Sequence, residues 1–192
     1  MIGNDIIDLK AAASQSDPTR KNYISRIFTE KEQIILKNSE KAVMQVWILW
    51  AMKEAAYKAN QRRLDLQRNF NPRKLECIFV DQSSTLVKGI VTVEELEYHS
   101  VVSITKEYIH AFATPLQQED LISDIFIGPV NLKEEFLLAF SSLSKVPKRY
   151  LSIQKNQNQV PYIHVKGRRI EQAFSLSHHG NFSGFTLPLM NY

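Results

Sequence analysis

Between Val43 and Tyr57 the chain reads Val, Met, Gln, Val, Trp, Ile, Leu, Trp, Ala, Met, Lys, Glu, Ala, Ala, Tyr. Apolar side chains fall on every face of a helix built from this stretch, so the helix must be surrounded by protein rather than lie on a surface. That requirement governs the fold, because the rest of the chain has to supply the surroundings. It also makes Glu54 conspicuous, since an ionised carboxylate in an apolar setting costs several kcal/mol unless it is paired or metal-bound. Glu54 and Lys58 stand four residues apart and share a face. Two readings are open: a structural salt bridge, or an ion-handling site.

The opening segment Gly3-Asn4-Asp5-Ile6-Ile7-Asp8 bears on that choice. Its β-branched core reads as a short buried strand, and Asp is depleted in strands. Asp5 therefore needs a positive partner, or serves as a strand-end carboxylate that caps a neighbouring turn. A divalent cation shared with Glu54 is one such partner, because Mg²⁺ takes one or two carboxylates together with water and phosphate oxygens.

Four segments then line up. Gly3-Asn4-Asp5-Ile6-Ile7-Asp8 resembles the G-x-D-I-V-[DE] opening of the 4'-phosphopantetheinyl transferase superfamily. Trp50-Ala51-Met52-Lys53-Glu54-Ala55-Ala56-Tyr57-Lys58 resembles its W-x-x-K-E-A-x-x-K helix. Arg26-Ile27-Phe28-Thr29-Glu30-Lys31-Glu32 is similar to the R-[IV]-[LF]-T-x-x-E segment of holo-acyl-carrier-protein synthases. Ser175-Leu176-Ser177-His178 matches S-[LI]-S-H. Each motif is short, but their order and spacing are those of the synthase type. The likeness covers residues 1–62 and 150–186; residues 63–148 carry little signature.

Composition is that of an ordinary globular chain of 192 residues with a net charge of +4. The longest apolar run, Val46 to Met52, is too short to span a bilayer. No basic region followed by an apolar stretch opens the chain, and the single Cys77 excludes an intrachain disulfide and a Cys-based zinc cluster. The expected compartment is the cytoplasm. Basic pairs such as Arg62-Arg63 and Arg168-Arg169 suit an anionic ligand or an acidic partner, although most are expected to be a solvated surface. No nucleic-acid-binding motif accompanies them.

The element pattern predicts a strand, a turn over 14–19, helices over 22–36 and 40–62 with Asn38-Ser39 capping the second, and strands near 75–80, 85–93, 97–105 and 108–114. Residues 115–130 read as connective. A helix capped by Asn131 presents Leu132, Phe136, Ala139, Phe140 and Leu143 on one side, and extended segments follow over 149–154, 160–166, 173–177 and 183–188. This is an α+β class with antiparallel sheets packed with helices. The second meander suggests two pseudo-symmetric half-domains, 1–115 with the carboxylates and 116–192 with the Ser-Leu-Ser-His motif, together one compact unit.

The resemblance implies transfer of the 4'-phosphopantetheine arm of coenzyme A to a serine of an apo acyl or peptidyl carrier protein, of the kind used in fatty-acid or polyketide synthesis, with Mg²⁺ as cofactor and an acidic carrier as partner. It implies Asp5 and Glu54 as metal ligands, with Asp8 a third that either orients a metal-bound water or makes a structural hydrogen bond. Lys58 would meet the diphosphate. Glu54 or a metal-bound water would take the serine proton. Ser177 and His178 would meet the 3'-phosphate or nearby CoA atoms, whereas His179 reads as a polar loop residue. Arg26 is a diphosphate or adenine-side contact or the ion-pair partner of Glu30. Trp47 and Trp50 read as core. The Gly-Lys-Pro that often precedes the S-x-S-H strand is absent from Asn158-Gln159-Val160-Pro161, leaving Lys155 or Arg168 and Arg169 to replace its cation. Other Mg²⁺-dependent phosphoryl transfer, or coenzyme A binding without catalysis, are the competing readings.

Overall fold

The computed structural model describes residues 1–189 apart from 19, 21, 118 and 119. Strand β1 (Gly3–Asp8) leads into α1 (Leu9–Gln15), α2 (Tyr23–Ile27), α3 (Glu30–Lys37) and α4 (Ala42–Leu64). A meander follows: β2 (Leu75–Gln82), β3 (Leu86–Val93), β4 (Leu96–Ile104) and β5 (Tyr108–Thr114). It returns to the start of the chain, because β5 pairs antiparallel with β1, placing Asp5 opposite Ala111 and Ile6 opposite His110. The resulting five-stranded sheet has the order β1-β5-β4-β3-β2.

α4 lies against this sheet, and Val46, Leu49, Met52, Ala55 and Ala59 are buried in a core shared with Val91, Val102 and Ile109. The helix predicted to need protein on every side is buried along most of its length, with Val43 exposed near its start and Trp50, Glu54 and Tyr57 only half-buried. The sharpest contact is with β1. A Cβ on Gly3 would collide with the carbonyl oxygen of Ala55 and lie 2.6 Å from the Ala59 amide nitrogen. Only glycine lets strand and helix approach so closely.

The second part of the chain contains β6 (Leu121–Ile127), α5 (Leu132–Ser144), β7 (Leu151–Lys155), β8 (Pro161–Val165), β9 (Arg168–Ile170), β10 (Ser175–His179) and β11 (Phe182–Pro188). Two three-stranded antiparallel sheets result, β10-β11-β6 and β7-β8-β9. A separate apolar cluster, with Phe136 stacked on Phe174 at 4.4 Å and packed edge-on against Phe185, ties α5 to these strands. The class is α+β with antiparallel sheets, as predicted. Among the described residues no helix is long and apolar enough to cross a membrane.

Local departures from the sequence reading have plain causes. Residues 9–15, not assigned to a helix, form α1 because Asp8 caps it, accepting the Ala11 amide on Oδ1 at 3.0 Å; of the turn expected over 14–19, Thr19 lies outside the described residues. The helix predicted over 22–36 is two, broken at Phe28 and restarted by a capping box in which Thr29 and Glu32 satisfy each other's backbone amides. Asn38 ends α3, and Ser39 accepts the Lys41 amide without capping α4. Residues 121–127, read as connective, form β6 on the far side of β11, a partner some sixty residues away. On α5, Leu137 is buried and Leu143 is exposed, reversing part of the predicted face.

Candidate active site

Backbone alternation gives β1 two working faces. Gly3 and Asp5 turn towards α4, where Lys58 Nζ donates to Asp5 Oδ1 at 2.8 Å and to the Asn4 carbonyl at 2.9 Å. Lys58 thus pairs with Asp5 rather than with Glu54, the structural alternative raised by the helix spacing. Glu54, one turn earlier, is partly buried beside them. Burial pushes its carboxyl pKa up, Lys58 opposes that shift, and the Asp5 charge reinforces it. Two carboxylates and one ammonium therefore share the site, with the Arg68 charge also acting on Glu54.

Adjacent Lys53 is spent on structure. Its ammonium is fully buried, lies 2.6 Å from Glu32 Oε2, and donates to the carbonyls of Ile27, Pro72 and Leu75. Glu32 also accepts the amides of Thr29 and Cys77. The Thr29–Glu32 segment thus supplies the counter-ion that fastens the chain around the base of α4.

The edge of β1 away from β5 meets β10 through side chains. Ser175 Oγ accepts the Asn4 amide at 2.8 Å, and His179 Nδ1 accepts the Asp8 amide at 3.0 Å. Ser177 lies between them on the same strand face; its hydroxyl is buried and has no hydrogen-bond partner among the described residues. Asp8 is occupied twice: Oδ1 caps α1 and Oδ2 accepts the Asn181 amide at 2.9 Å. Burial alone would raise its pKa. Backbone amides of Asn181, Ala11 and Lys10, with His179, outweigh burial and hold it below the usual carboxylate value. Gly180, at φ +56°, makes room for this carboxylate, into which a Cβ would run.

A cleft of about 1220 Å³ opens along α4. Asp5, Glu54 and Lys58 line it from one part of the chain, and Lys155, Ser177 and His178 from the other. Asp8 and Arg26 are not among its lining residues; Arg26 is exposed on α2. Of the proposed replacements for the missing cation, Lys155 lines the cleft, while Arg169 stacks on Tyr162 and pairs with exposed Glu171 at 2.9 Å. Trp47 is core, but it and Trp50, edge-on to Phe70 at 5.6 Å, also form part of the wall.

Arg68 and Lys133, which the sequence reading passed over, line the cleft, as do Arg62, read only as half of a basic pair, and His179, read as a polar loop residue but placed at the end of β10. His179 was recoverable, since strand alternation puts it on the face of Ser175 and Ser177. Arg68 and Lys133, from segments with no motif, were not. Among the described residues no group of three or more His, Cys, Asp or Glu stands ready to hold a metal. The pair Asp5 and Glu54 still fits a hard cation such as Mg²⁺, which needs one or two carboxylates.

A family model described as the 4'-phosphopantetheinyl transferase superfamily matches residues 1–113, from β1 through β5. Among solved structures the chain is similar to the holo-[acyl-carrier-protein] synthase of Thermotoga maritima, with 15% sequence identity, a TM-score of 0.44, and coverage of 86% of this chain and 82% of that one. No curated protein matches.

Proposed function

The chain belongs to the 4'-phosphopantetheinyl transferase superfamily, and from that premise we propose that it moves the 4'-phosphopantetheine arm of coenzyme A onto a serine of an apo carrier protein, releasing 3',5'-ADP. The observation that carries this reading is the single cleft lined by Asp5, Glu54 and Lys58 on one side and by Lys155, Ser177 and His178 on the other. The separate apolar clusters of the two parts support treating 1–115 and 116–192 as half-units with the site between them.

Asp5 and Glu54 would hold Mg²⁺, which supplies charge neutralisation for the diphosphate when bound. Lys58 carries three donors, of which Asp5 and the Asn4 carbonyl take two. The third is left for a diphosphate oxygen, where a compact ammonium stabilises charge gathering on the leaving phosphate. The bond formed joins the carrier serine Oγ to the β-phosphorus; the bond broken joins that phosphorus to the bridging oxygen, which departs with 3',5'-ADP. Glu54 takes the serine proton in this scheme. Ser177, with an unused buried hydroxyl, and His178 face the nucleotide portion of the ligand. Lys155, Arg68 and Lys133 make the rim of the cleft basic, which suits an acidic carrier.

The test is mass spectrometry of apo acyl, peptidyl and aryl carrier proteins incubated with the chain, coenzyme A and Mg²⁺. One carrier should gain the mass of a phosphopantetheine group, with 3',5'-ADP released and no gain in the presence of a chelator. Unchanged mass across the whole panel overturns the reading.

A further inference from the structure

The segment from Lys145 to Arg169 holds 7 of the chain's 24 Lys and Arg and none of its 20 Asp and Glu. The rest of the chain, with 17 cations against 20 anions, is net negative. The positive charge of the whole protein is thus gathered in one stretch, and the fold gathers it further. That stretch builds β7 and β8 and turns into β9. Leu151, Ile163 and Ile170 pin the three strands to the α5 cluster. The cations stay outside: Lys155 at one end of β7, and Arg149, Lys166 and Arg168 at the other, all exposed.

At that second end two cations meet one ring. Arg149 and Lys166 each lie 4.9 Å from the centre of the half-exposed Tyr150 ring, so the two charges are at most about 10 Å apart, close to a Debye length. The backbone holds them there. The Lys166 amide donates to the Tyr150 carbonyl at 2.8 Å, and Lys166-Gly167 form the tight β8–β9 turn at φ +50° and +78°, where asparagine and glycine fit most easily. Among the described residues no ion pair includes Arg149, Lys166 or Arg168, although neighbouring Lys148 pairs with Glu134 and Arg169 with Glu171. Like charges fixed side by side repel, and an anionic partner removes that repulsion.

This corner is continuous with the cleft. Lys155 lines the cleft at the far end of β7, about 16 Å from Tyr150 at the rise of a strand. On the α5 side, Glu134, the partner of Lys148, follows Lys133, which also lines the cleft. A folded domain of about 100 residues is about 30 Å across, so one body seated at the cleft mouth reaches the corner. A single-stranded nucleic acid fits less well. It needs bare aromatic faces for stacking, and cations already cover the rings of Tyr150 and Tyr162.

We propose that the corner formed by Arg149, Tyr150, Lys166 and Arg168 is a docking surface for an acidic face of the carrier protein, outside the cleft that receives its serine. This rests on the transferase reading above and adds the surface that selects the carrier. The corner recruits the partner, and the cleft performs the transfer.

The test is the rate of transfer with coenzyme A and Mg²⁺ saturating and the apo carrier varied. Arg149→Glu/Lys166→Glu should raise the KM for the carrier roughly tenfold, through two lost attractions and two new repulsions, with kcat and the KM for coenzyme A unchanged. The milder Arg149→Gln/Lys166→Gln should give a smaller rise. Added salt should raise the carrier KM of the unmutated chain more steeply than that of either variant. Replacing one acidic residue of the carrier by lysine should recover part of the loss in the Glu variant. Lys88→Glu, which reverses an exposed cation on β3, should leave the carrier KM unchanged. An unchanged carrier KM in the corner variants, an equal rise in Lys88→Glu, or a loss confined to kcat overturns the docking surface and leaves the transferase reading intact. Binding of a DNA or RNA oligonucleotide that the Glu variant loses, while its carrier KM stays unchanged, gives the corner to nucleic acid and overturns the proposal too. Failure of the unmutated chain to modify any carrier overturns both.

Discussion

Replacing Gly3 by alanine tests whether the close approach of β1 to α4 builds the site. The added Cβ would lie 2.6 Å from the Ala59 amide nitrogen, where ordinary contact begins at 3.4 Å, and would also collide with the Ala55 carbonyl oxygen. The strand must therefore retreat by at least the difference, about 0.8 Å. Asp5 is two residues away on the same face. A retreat of that size would stretch its 2.8 Å contact with Lys58 to about 3.6 Å, beyond hydrogen-bonding range. Overpacking of this kind costs about 1–3 kcal/mol, and a chain of this size loses about 2–4 °C in Tm for each kcal/mol. Misplacing a catalytic group by about 1 Å costs on the order of 10²-fold in rate. Thermal unfolding and carrier modification, measured on one preparation, should both fall. A Gly3→Ala protein with an unchanged transfer rate would refute the reasoning, even if its Tm dropped, because packing and site geometry would then be independent.

Other substitutions probe other parts of the account. Lys53→Met leaves Glu32 buried and unpaired and should cost about 3–5 kcal/mol in denaturant unfolding; a midpoint near that of the unmutated chain would contradict the structural role given to Lys53. Glu54→Gln should raise the Tm of the metal-free protein at neutral pH. Burial holds the folded-state pKa of Glu54 above the ordinary carboxylate value, so its ionised form opposes folding once pH exceeds the unfolded value, and the neutral amide removes that penalty. An unchanged or lower Tm counts against it. Buried His110 has its pKa lowered from 6.5 to about 4, first by burial and then by the Lys58 charge. The unfolded chain binds the extra proton in that window, so stability is full above pH 6.5 and falls by about 3 kcal/mol as pH drops to 4. His110→Gln should flatten that part of the stability profile, and an identical acid limb in both proteins would remove His110 as its source.

What could be read from the chain before its structure divides along physical lines. α4 was legible because its apolar pattern demands burial whatever packs against it. Asp5 and Glu54 stood out because carboxylates in apolar elements need a reason. The pairing was harder. Lys58 is bonded to Asp5 across 53 residues, and Lys53 to Glu32 across 21, distances at which helix spacing says nothing. Strand β6 escaped notice because its partner β11 is remote in sequence and its flanks, Asp120 and Gly128-Pro129, read as loop. Asp8 carried two legible signals, an acidic residue in a motif and a cap before the Ala-rich segment from Lys10 to Ala13. In the fold both oxygens accept backbone amides. Arg62 looked like one half of a solvated basic pair, and only the fold reveals that its guanidinium is buried.

The account rests on one chain carrying both walls of the site, so the most direct measurement mixes two damaged chains. Glu54→Ala removes a carboxylate from one wall and His178→Ala removes a ligand contact from the other. Transfer to an apo carrier is measured for each variant and for their equimolar mixture, with coenzyme A limiting for the second. The account predicts that the mixture transfers no more than the two separate activities combined, because neither chain can lend its intact wall. Restored transfer in the mixture would contradict it, by placing the two walls of a working site on different chains.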